Sequence, residues 1–268
     1  MSTQLIEFAR GPLAKRPGGG GRSRRFLGSA YYDAFEGLSA ESDELRAECF
    51  RVRHRIYCRE RNFLPAADHP SGLEIDAYDA SARHGLLRYR RTGEAVGTVR
   101  LVLPRGAAGT RGLPMYAFLA GQGGRSAGLP PIEETAEVSR FAISRDFRRR
   151  FGDGQHGAAL DPRAGDRRMI PHMALGLMAM AFRMSLESRS RYLCAIMEPT
   201  LIRLLCRFGI RWQEVGPPRD YHGLRQPCVA EIAEMAVTVA AERPDIWDFM
   251  THPPAAAPSM AGFAMAAA

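Results

Sequence analysis

Between Ser42 and about Arg61 the apolar residues fall at Leu45, Cys49, Val52 and Ile56, a 4-3-4 spacing that predicts a helix with one buried stripe. The period then changes. Residues 84–104, HGLLRYRRTGEAVGTVRLVLP, hold two strand-like runs around Thr92-Gly93-Glu94, which predicts a hairpin with glycine in its turn. AEVSRFAIS, residues 136–144, predicts another strand. MIPHMALGLMAMAFRMSLESR is apolar nearly all round, as suits a helix buried between layers. The remainder reads as strand RYLCAIM, helix PTLIRLLCRFG closed by Gly209, strand IRWQEV, a Pro-rich turn, strand PCVAEIAEM and a short last helix near DIWDFM. Strands and helices mixed in this way, with one early hairpin, predict an α/β or α+β sheet covered by helices.

The two ends differ from this pattern. Residues 10–25, RGPLAKRPGGGGRSRR, offer almost nothing to bury and read as a flexible basic arm, and THPPAAAPSMAGFAMAAA at the other end is equally low in complexity. The chain therefore divides into an arm (1–30), one domain (31–250) and a disordered Ala/Pro-rich tail (251–268), with no internal repeat. A length of 268 residues at 46% hydrophobic content can fill a sizeable core.

Charge adds a second theme. The formal net charge is +8, and of 37 basic residues only Lys15 is a lysine. Arginine forks bind carboxylates and phosphates bidentately, and a positive surface attracts nucleic acid, anionic lipid or an acidic protein; composition does not choose among these. The five cysteines are odd in number, widely spaced and without a C-x-x-C pair, so a reduced, cytoplasmic protein is the simplest account. No apolar run reaches about 18 residues and the N-terminus lacks the apolar core of a secretory signal, so neither export nor a transmembrane segment is expected. Loose contact with a membrane surface stays open.

Candidate chemistry concentrates in two places. At 100° per residue, Arg53, Tyr57 and Glu60 lie along one flank of the first helix, so the Arg53 head seeks an anion. Glu74, Asp76 and Asp79 are the nearest acidic cluster in sequence. From the pattern alone an ordinary salt-bridge network is the preferred account, and Arg59 on the other flank would serve it as well. On EVSRFAI, alternation sends Glu137, Ser139 and Phe141 to one face and Val138, Arg140 and Ala142 to the other. A glutamate and a serine are costly to bury from a central strand without partners, although an edge strand with one wet face would hold them. Arg100, between Val99 and Leu101, likewise asks for a specific partner.

Other features carry less. Arg149 to Gly154 has the R-x-x-G-x-G form of a pyrophosphate loop, but the next predicted helix starts only near Ile170. The methionines of the buried helix, Met173, Met178, Met180 and Met184, fit core packing better than an acyl tunnel. The seven histidines show no ligand spacing, so no metal is expected, G-x-S-x-G is absent, and Cys194 reads as core.

Taken in order, RHRIYCRERNF from Arg53, EIDAYDA from Glu74, VGTVRLVLP around Arg100, LPMYAFL around Phe118 and EVSRFAI from Glu137 resemble the acyl-homoserine-lactone (autoinducer) synthases. PTLIRLLCRFGIRWQEVGP resembles the helix-turn-strand of the GNAT-type N-acyltransferase fold, and the likeness spans roughly residues 42–236. Phe63 stands where that family usually has tryptophan, and Glu60 where arginine is common. The length, the tails and the RHRIY helix look closer to the N-acyl amino acid synthases and the PEP-CTERM/exosortase-associated acyltransferases.

The resemblance implies a central mixed, twisted sheet flanked by helices. It also implies an acyl chain arriving as a thioester on acyl carrier protein and attacked by a small-molecule amine acceptor. It implies Glu137 as general base with Glu74 as second choice, beside Ser139, and an oxyanion held by backbone N–H groups of residues 137–141. Arg53, Asp76, Asp79, Arg100 and Arg140 would fix the acceptor, and Phe63, Phe118 and Phe141 would wall it. No permanently bound cofactor is expected; acyl carrier protein brings the co-substrate, and S-adenosylmethionine is the acceptor in the alternative, an autoinducer synthase. A nucleic-acid-binding protein is disfavoured because aromatics do not interleave with the arginines. A non-catalytic acyl-chain binder is disfavoured because Glu137, Ser139 and Arg140 are all present.

Overall fold

The computed structural model describes residues 27–104, 112–121, 128–152 and 170–253, so the greater part of the expected arm and tail lies outside the described residues, as do Asp153 and Gly154. The chain opens with α1 (Leu27–Ala34), β1 (Phe35–Ser39) and α2 (Asp43–His54). The hairpin follows as β2 (Ala82–Tyr89) and β3 (Ala95–Val102), then α3 (Pro114–Gly121), β4 (Thr135–Ile143) and α4 (Arg145–Gly152). The last third holds α5 (Ile170–Glu187), β5 (Tyr192–Met197), α6 (Pro199–Arg207), β6 (Gln213–Glu214), β7 (Arg219–Asp220), β8 (Leu224–Glu231), α7 (Ile232–Glu242) and α8 (Pro244–Thr251).

The strands form one mixed sheet in the order β1-β2-β3-β4-β5-β8-β6, with β7 paired on β8. Among the described residues β4 and β5 are its one parallel pair, and their ladder is short: Thr135, Ala136 and Glu137 face Tyr192, Leu193 and Cys194. Past Glu137, β4 stays bonded to β3 and β5 to β8, so the two central strands part. Every second N–H along that stretch of β4 is thereby released from the ladder.

One face of the sheet carries the main core. α5 is buried along most of its length, and Met173, Met178, Met180 and Met184 all pack into this cluster with Val99, Leu101, Val138 and Leu193, as the core reading requires. Gly176 lets α5 approach α1: a Cβ there would sit 1.7 Å from Tyr31 Oη. Gly176→Ala should therefore destabilise the fold by about 1–3 kcal/mol. A urea midpoint equal to that of the unaltered protein would show that Tyr31 can swing aside.

The other face carries α2 and the polar site. α2 starts at an Ser42 cap whose hydroxyl accepts Leu45 N–H at 3.3 Å, with Asp43 and Glu44 in the first turn and Arg51, Arg53 and His54 in the last. Cys49, Val52 and Ile56 form the buried stripe that the sequence predicts. From Arg55 to Glu60 the helix loosens to π geometry, with Arg61 N–H bonded to Ile56 O at 3.0 Å.

Several expectations need correction. PCVAEIAEM is strand only to Glu231; Ile232, Met235, Ala236 and Val239 then bury one helical stripe of α7. IRWQEV shrinks to the two residues of β6, and α1 begins at Leu27, inside the stretch expected to be arm.

Candidate active site

The guanidinium of Arg53, carried on the last turn of α2, is completely buried and reaches the loop between α2 and β2. Its Nε donates to Glu74, and its two Nη atoms donate to Asp79 at 2.7 and 3.0 Å. Arg100 on β3 donates from Nη1 to Asp76 at 2.6 Å and to Asp79 at 2.8 Å, and from Nε to Ser139 Oγ at 3.0 Å. Arg140 on β4 donates to Glu74 at 2.8 Å and to Asp76 at 2.9 Å. Three arginines and three carboxylates thus alternate around a closed ring, Arg53–Glu74–Arg140–Asp76–Arg100–Asp79, whose formal charge is zero.

The ring is lopsided. Side chains of Arg53, Glu74, Asp79 and Arg100 are 5% exposed or less, whereas Arg140 and Asp76 are 22% and 26% exposed. Burial alone would raise the pKa of Glu74, but hydrogen bonds from Arg140 and Arg53 override it and hold the group down to about 2. Burial also opposes ionisation of Asp79, and Arg53 and Arg100 again hold it well below the usual carboxylate range. Glu74 is therefore poorly placed to accept a proton, against the expectation of it as second-choice base. His84 on β2 lies under the ring with Nε2 3.8 Å from Asp79 Oδ1, its edge against the Phe50 ring at 5.2 Å. Burial pushes His84 down to about 4, so it is neutral at pH 7 and leaves the ring's balance intact.

Strand alternation fails at one residue. Arg140 has φ +48°, and the β3–β4 register slips between Thr98 and Arg100, which marks a bulge. The extra residue brings Arg140 to the same side as Glu137 and Ser139 and turns Phe141 to the opposite face, where it packs with Val138 against the main core. Phe141 thus does not join the site face expected from a period of two. A left-handed arginine costs about 1–3 kcal/mol, a strain that its four bonds to Glu74 and Asp76 offset here.

Glu137 stands apart from the ring, at the last rung shared by β4 and β5. It is 3% exposed; Oε2 accepts Met115 N–H at 2.6 Å, and the Cys194 thiol lies 3.9 Å away. Burial raises its pKa to about 8, partly countered by the Met115 N–H and by Arg100 and Arg140. Cys194 itself is buried and pushed further from ionisation by burial and by Glu137, so it is no nucleophile. Sequence reasoning had no means of finding Met115, because the contact is a backbone N–H placed by the start of α3.

Tyr57 and Phe63 flank the ring. Arg140 lies over the Tyr57 ring at 5.5 Å, and the Tyr57 and Phe63 centroids are 6.4 Å apart. Phe118, one turn beyond Met115, meets Tyr221 edge-on at 5.2 Å, and His222 stacks on Phe63 at 5.3 Å and 23°. Glu60, predicted to share a flank with Arg53, instead accepts Ser144 Oγ–H at 2.8 Å and Arg145 N–H at 2.6 Å at the start of α4, because the π segment changes the helix phase. Beside it a charged cavity of about 430 Å³ opens between Arg55, Glu94 and Asp146. Arg149 to Gly152 form the last turn of α4, where backbone N–H groups are engaged within the helix. Among the described residues, no cluster of His, Cys, Asp and Glu could hold a metal, and no helix is long and apolar enough to cross a membrane.

A mixed sheet flanked by helices, opened beside its one parallel pair, is the GNAT-type acyltransferase fold. Residues 52–153 match the family model described as the acetyltransferase (GNAT) domain. The chain shares its fold with TofI, solved in a ternary complex with an inhibitor and MTA, at 20% identity and TM-score 0.54 over 77% of this chain and 96% of that one. The AHL synthase LasI matches at 18% identity and TM-score 0.52 over 77% and 95% of the two chains. BjaI, a CoA-dependent acyl-homoserine lactone synthase solved with SAM and isopentyl-CoA, matches at 21% identity and TM-score 0.53 over 83% and 90%. No curated protein sequence matches the chain significantly.

Proposed function

We propose that the protein is an N-acyltransferase, moving a fatty acyl group from the thioester of acyl carrier protein to the amine of an amino acid or similar small metabolite. The observation that carries this reading is the pairing of a buried Glu137, whose ionised form binds a proton tightly, at the parting of β4 and β5 with a ring that reaches solvent only at Arg140 and Asp76. Those two side chains sit 2.9 Å apart and present one positive and one negative group, the complement of an α-amino acid zwitterion.

In this mechanism Arg140 receives the acceptor's carboxylate and Asp76 its ammonium. An ammonium cannot attack, so Glu137 takes a proton, directly or through water, and the neutral amine adds to the thioester carbonyl. Backbone N–H groups of β4 freed beyond Glu137 hold the oxyanion in a preorganised, partly dry setting. The intermediate then expels the thiolate: a C–N bond has formed, the C–S bond has broken, the second proton of the nitrogen passes to the leaving sulfur, and Glu137 returns the first to water. Ser139, bonded to Arg100, orients the ring rather than the substrate.

Carrier protein is preferred as donor for two reasons. A chain of formal charge +8 favours an acidic partner. The first N–H of α4, where a helix could receive a phosphate of coenzyme A, already binds the Glu60 carboxylate. A second reading, acylation of SAM with lactone closure, is favoured by the fold shared with LasI and BjaI. Acyl carrier protein and acyl-CoA offered separately, each with an amino acid mixture and with SAM, separate these cases by product mass. The expected result is an acyl amide from acyl carrier protein; a homoserine lactone product would select the second reading, and no product from any pair would remove both.

A further inference from the structure

The hairpin joining β7 and β8 turns in three residues, Tyr221, His222 and Gly223, with His222 at φ +53° and Gly223 at φ +97°. Its turn is held by Tyr221 N–H on Gly223 O at 2.9 Å and Gly223 N–H on Asp220 Oδ1 at 3.2 Å. Outward, it makes ring contacts on two sides: His222 lies flat on Phe63, and Tyr221 meets Phe118. Both partners lead to the site. Phe63 donates its N–H to Tyr57 O at 2.8 Å, and the Tyr57 ring lies under Arg140. Phe118 belongs to the short helix whose Met115 N–H holds Glu137. The tip therefore bridges the two halves of the candidate site, the acceptor ring and the base.

What the bridge does to the space matters most. One face of Phe63 is covered by the His222 imidazole at 23°, the near-parallel arrangement that a flat ligand ring would otherwise take. Arg225, paired with Glu198 at 3.3 Å, and Arg61 lie 6.0 and 5.8 Å from the centre of that same ring, so a cationic ligand would meet the positive charge of Arg61 there. A nucleoside-bearing sulfonium seated on this ring would have to displace His222 and tolerate Arg61. A compact zwitterion does neither.

We infer that His222, braced by Tyr221, is an acceptor-specificity residue: it fills the stacking face of Phe63 and restricts the site to compact α-amino acids, excluding acceptors with a flat aromatic or nucleoside group. The inference rests on the acceptor site proposed above and narrows its substrate class. His222 and Tyr221 touch neighbouring rings rather than reacting atoms, and they act by position.

The test compares His222→Ala and Tyr221→Ala with the unaltered enzyme, using glycine, phenylalanine and SAM as acceptors at fixed acyl carrier protein thioester. Removing a ring from a pocket wall shifts discrimination by at least about tenfold. We expect kcat/KM for phenylalanine or SAM relative to glycine to rise by that factor in His222→Ala, with the change in acceptor KM and the donor KM unmoved. An unchanged ratio in both variants overturns the inference. A second measurement does not need turnover: in protein labelled with 15N-histidine, the ring signals of His222 should move when glycine is titrated into the unaltered enzyme. If they stay fixed at saturating amino acid, the wall is not at an acceptor site. Should glycine move them while no acyl product forms with any donor, the reading of the reaction falls and the wall stands.

Discussion

Glu137→Gln should lower kcat by about 10²–10⁴-fold, the range set by loss of a positioned base, while the acceptor KM changes little. The amide keeps the shape of the side chain and can still accept the Met115 N–H, but it has no site for the amine's proton. In the unaltered enzyme the same group sets the pH profile. Its carboxyl is raised to about 8 chiefly by burial, so kcat/KM should climb with pH and level off above about 8. The variant's residual rate should lack that rise. A folding test uses the opposite sign. Because the folded-state pKa lies above the ordinary carboxylate value, Glu137 binds its proton more tightly when folded, so its contribution to stability is full below the unfolded pKa and declines as pH rises through about 8. Urea midpoints at pH 6 and pH 9 should therefore converge in Glu137→Gln relative to the unaltered protein. If the variant turns over at the original rate, the proton is taken elsewhere and the assignment is wrong.

The parts of this site that were legible in sequence are those set by local chemistry. A half-covered arginine on a helix needs an anion, and the nearest acidic cluster supplies Glu74 and Asp79. A charged Arg100 amid valines and leucines needs a partner, and it finds Asp76, Asp79 and Ser139. What stayed hidden depends on departures from ideal periods. The bulge at Arg140 reverses the faces of Arg140 and Phe141, and nothing in EVSRFAI announces an extra residue. The π segment turns Glu60 from Arg53 toward α4 for a similar reason. The stripe of α7 was readable, since Ile232, Met235, Ala236 and Val239 fall at helical spacing, but the apolar run of β8 leads straight into it. Met115 and the Tyr221–His222 tip were beyond reach, because a backbone N–H and a long-range ring contact leave no local mark.

Arg53→Ala should destabilise the protein by about 3–5 kcal/mol, the usual penalty for removing one partner of a buried pair. The reason lies in the inner half of the ring. Without that guanidinium, Glu74 keeps only Arg140 and Asp79 keeps only Arg100 as arginine partners, and both carboxylates remain almost wholly buried. Arg53→Lys should recover little, since one ammonium cannot reproduce the fork that spans both acids. The outer half predicts the reverse. Asp76 is a quarter exposed, so Asp76→Asn should shift the denaturation midpoint only slightly while raising the acceptor KM, because the ammonium loses its counter-charge. Acid adds an independent check. Glu74 and Asp79 titrate below their ordinary values, so the stability they confer is present above the unfolded carboxylate pKa and is lost as pH falls toward about 2. In Arg53→Ala that loss should begin at higher pH. Equal midpoints for Arg53→Ala and Asp76→Asn across this range would mean that water, not the ring, satisfies these carboxylates, and the division into a structural inner half and a substrate-facing outer pair would collapse.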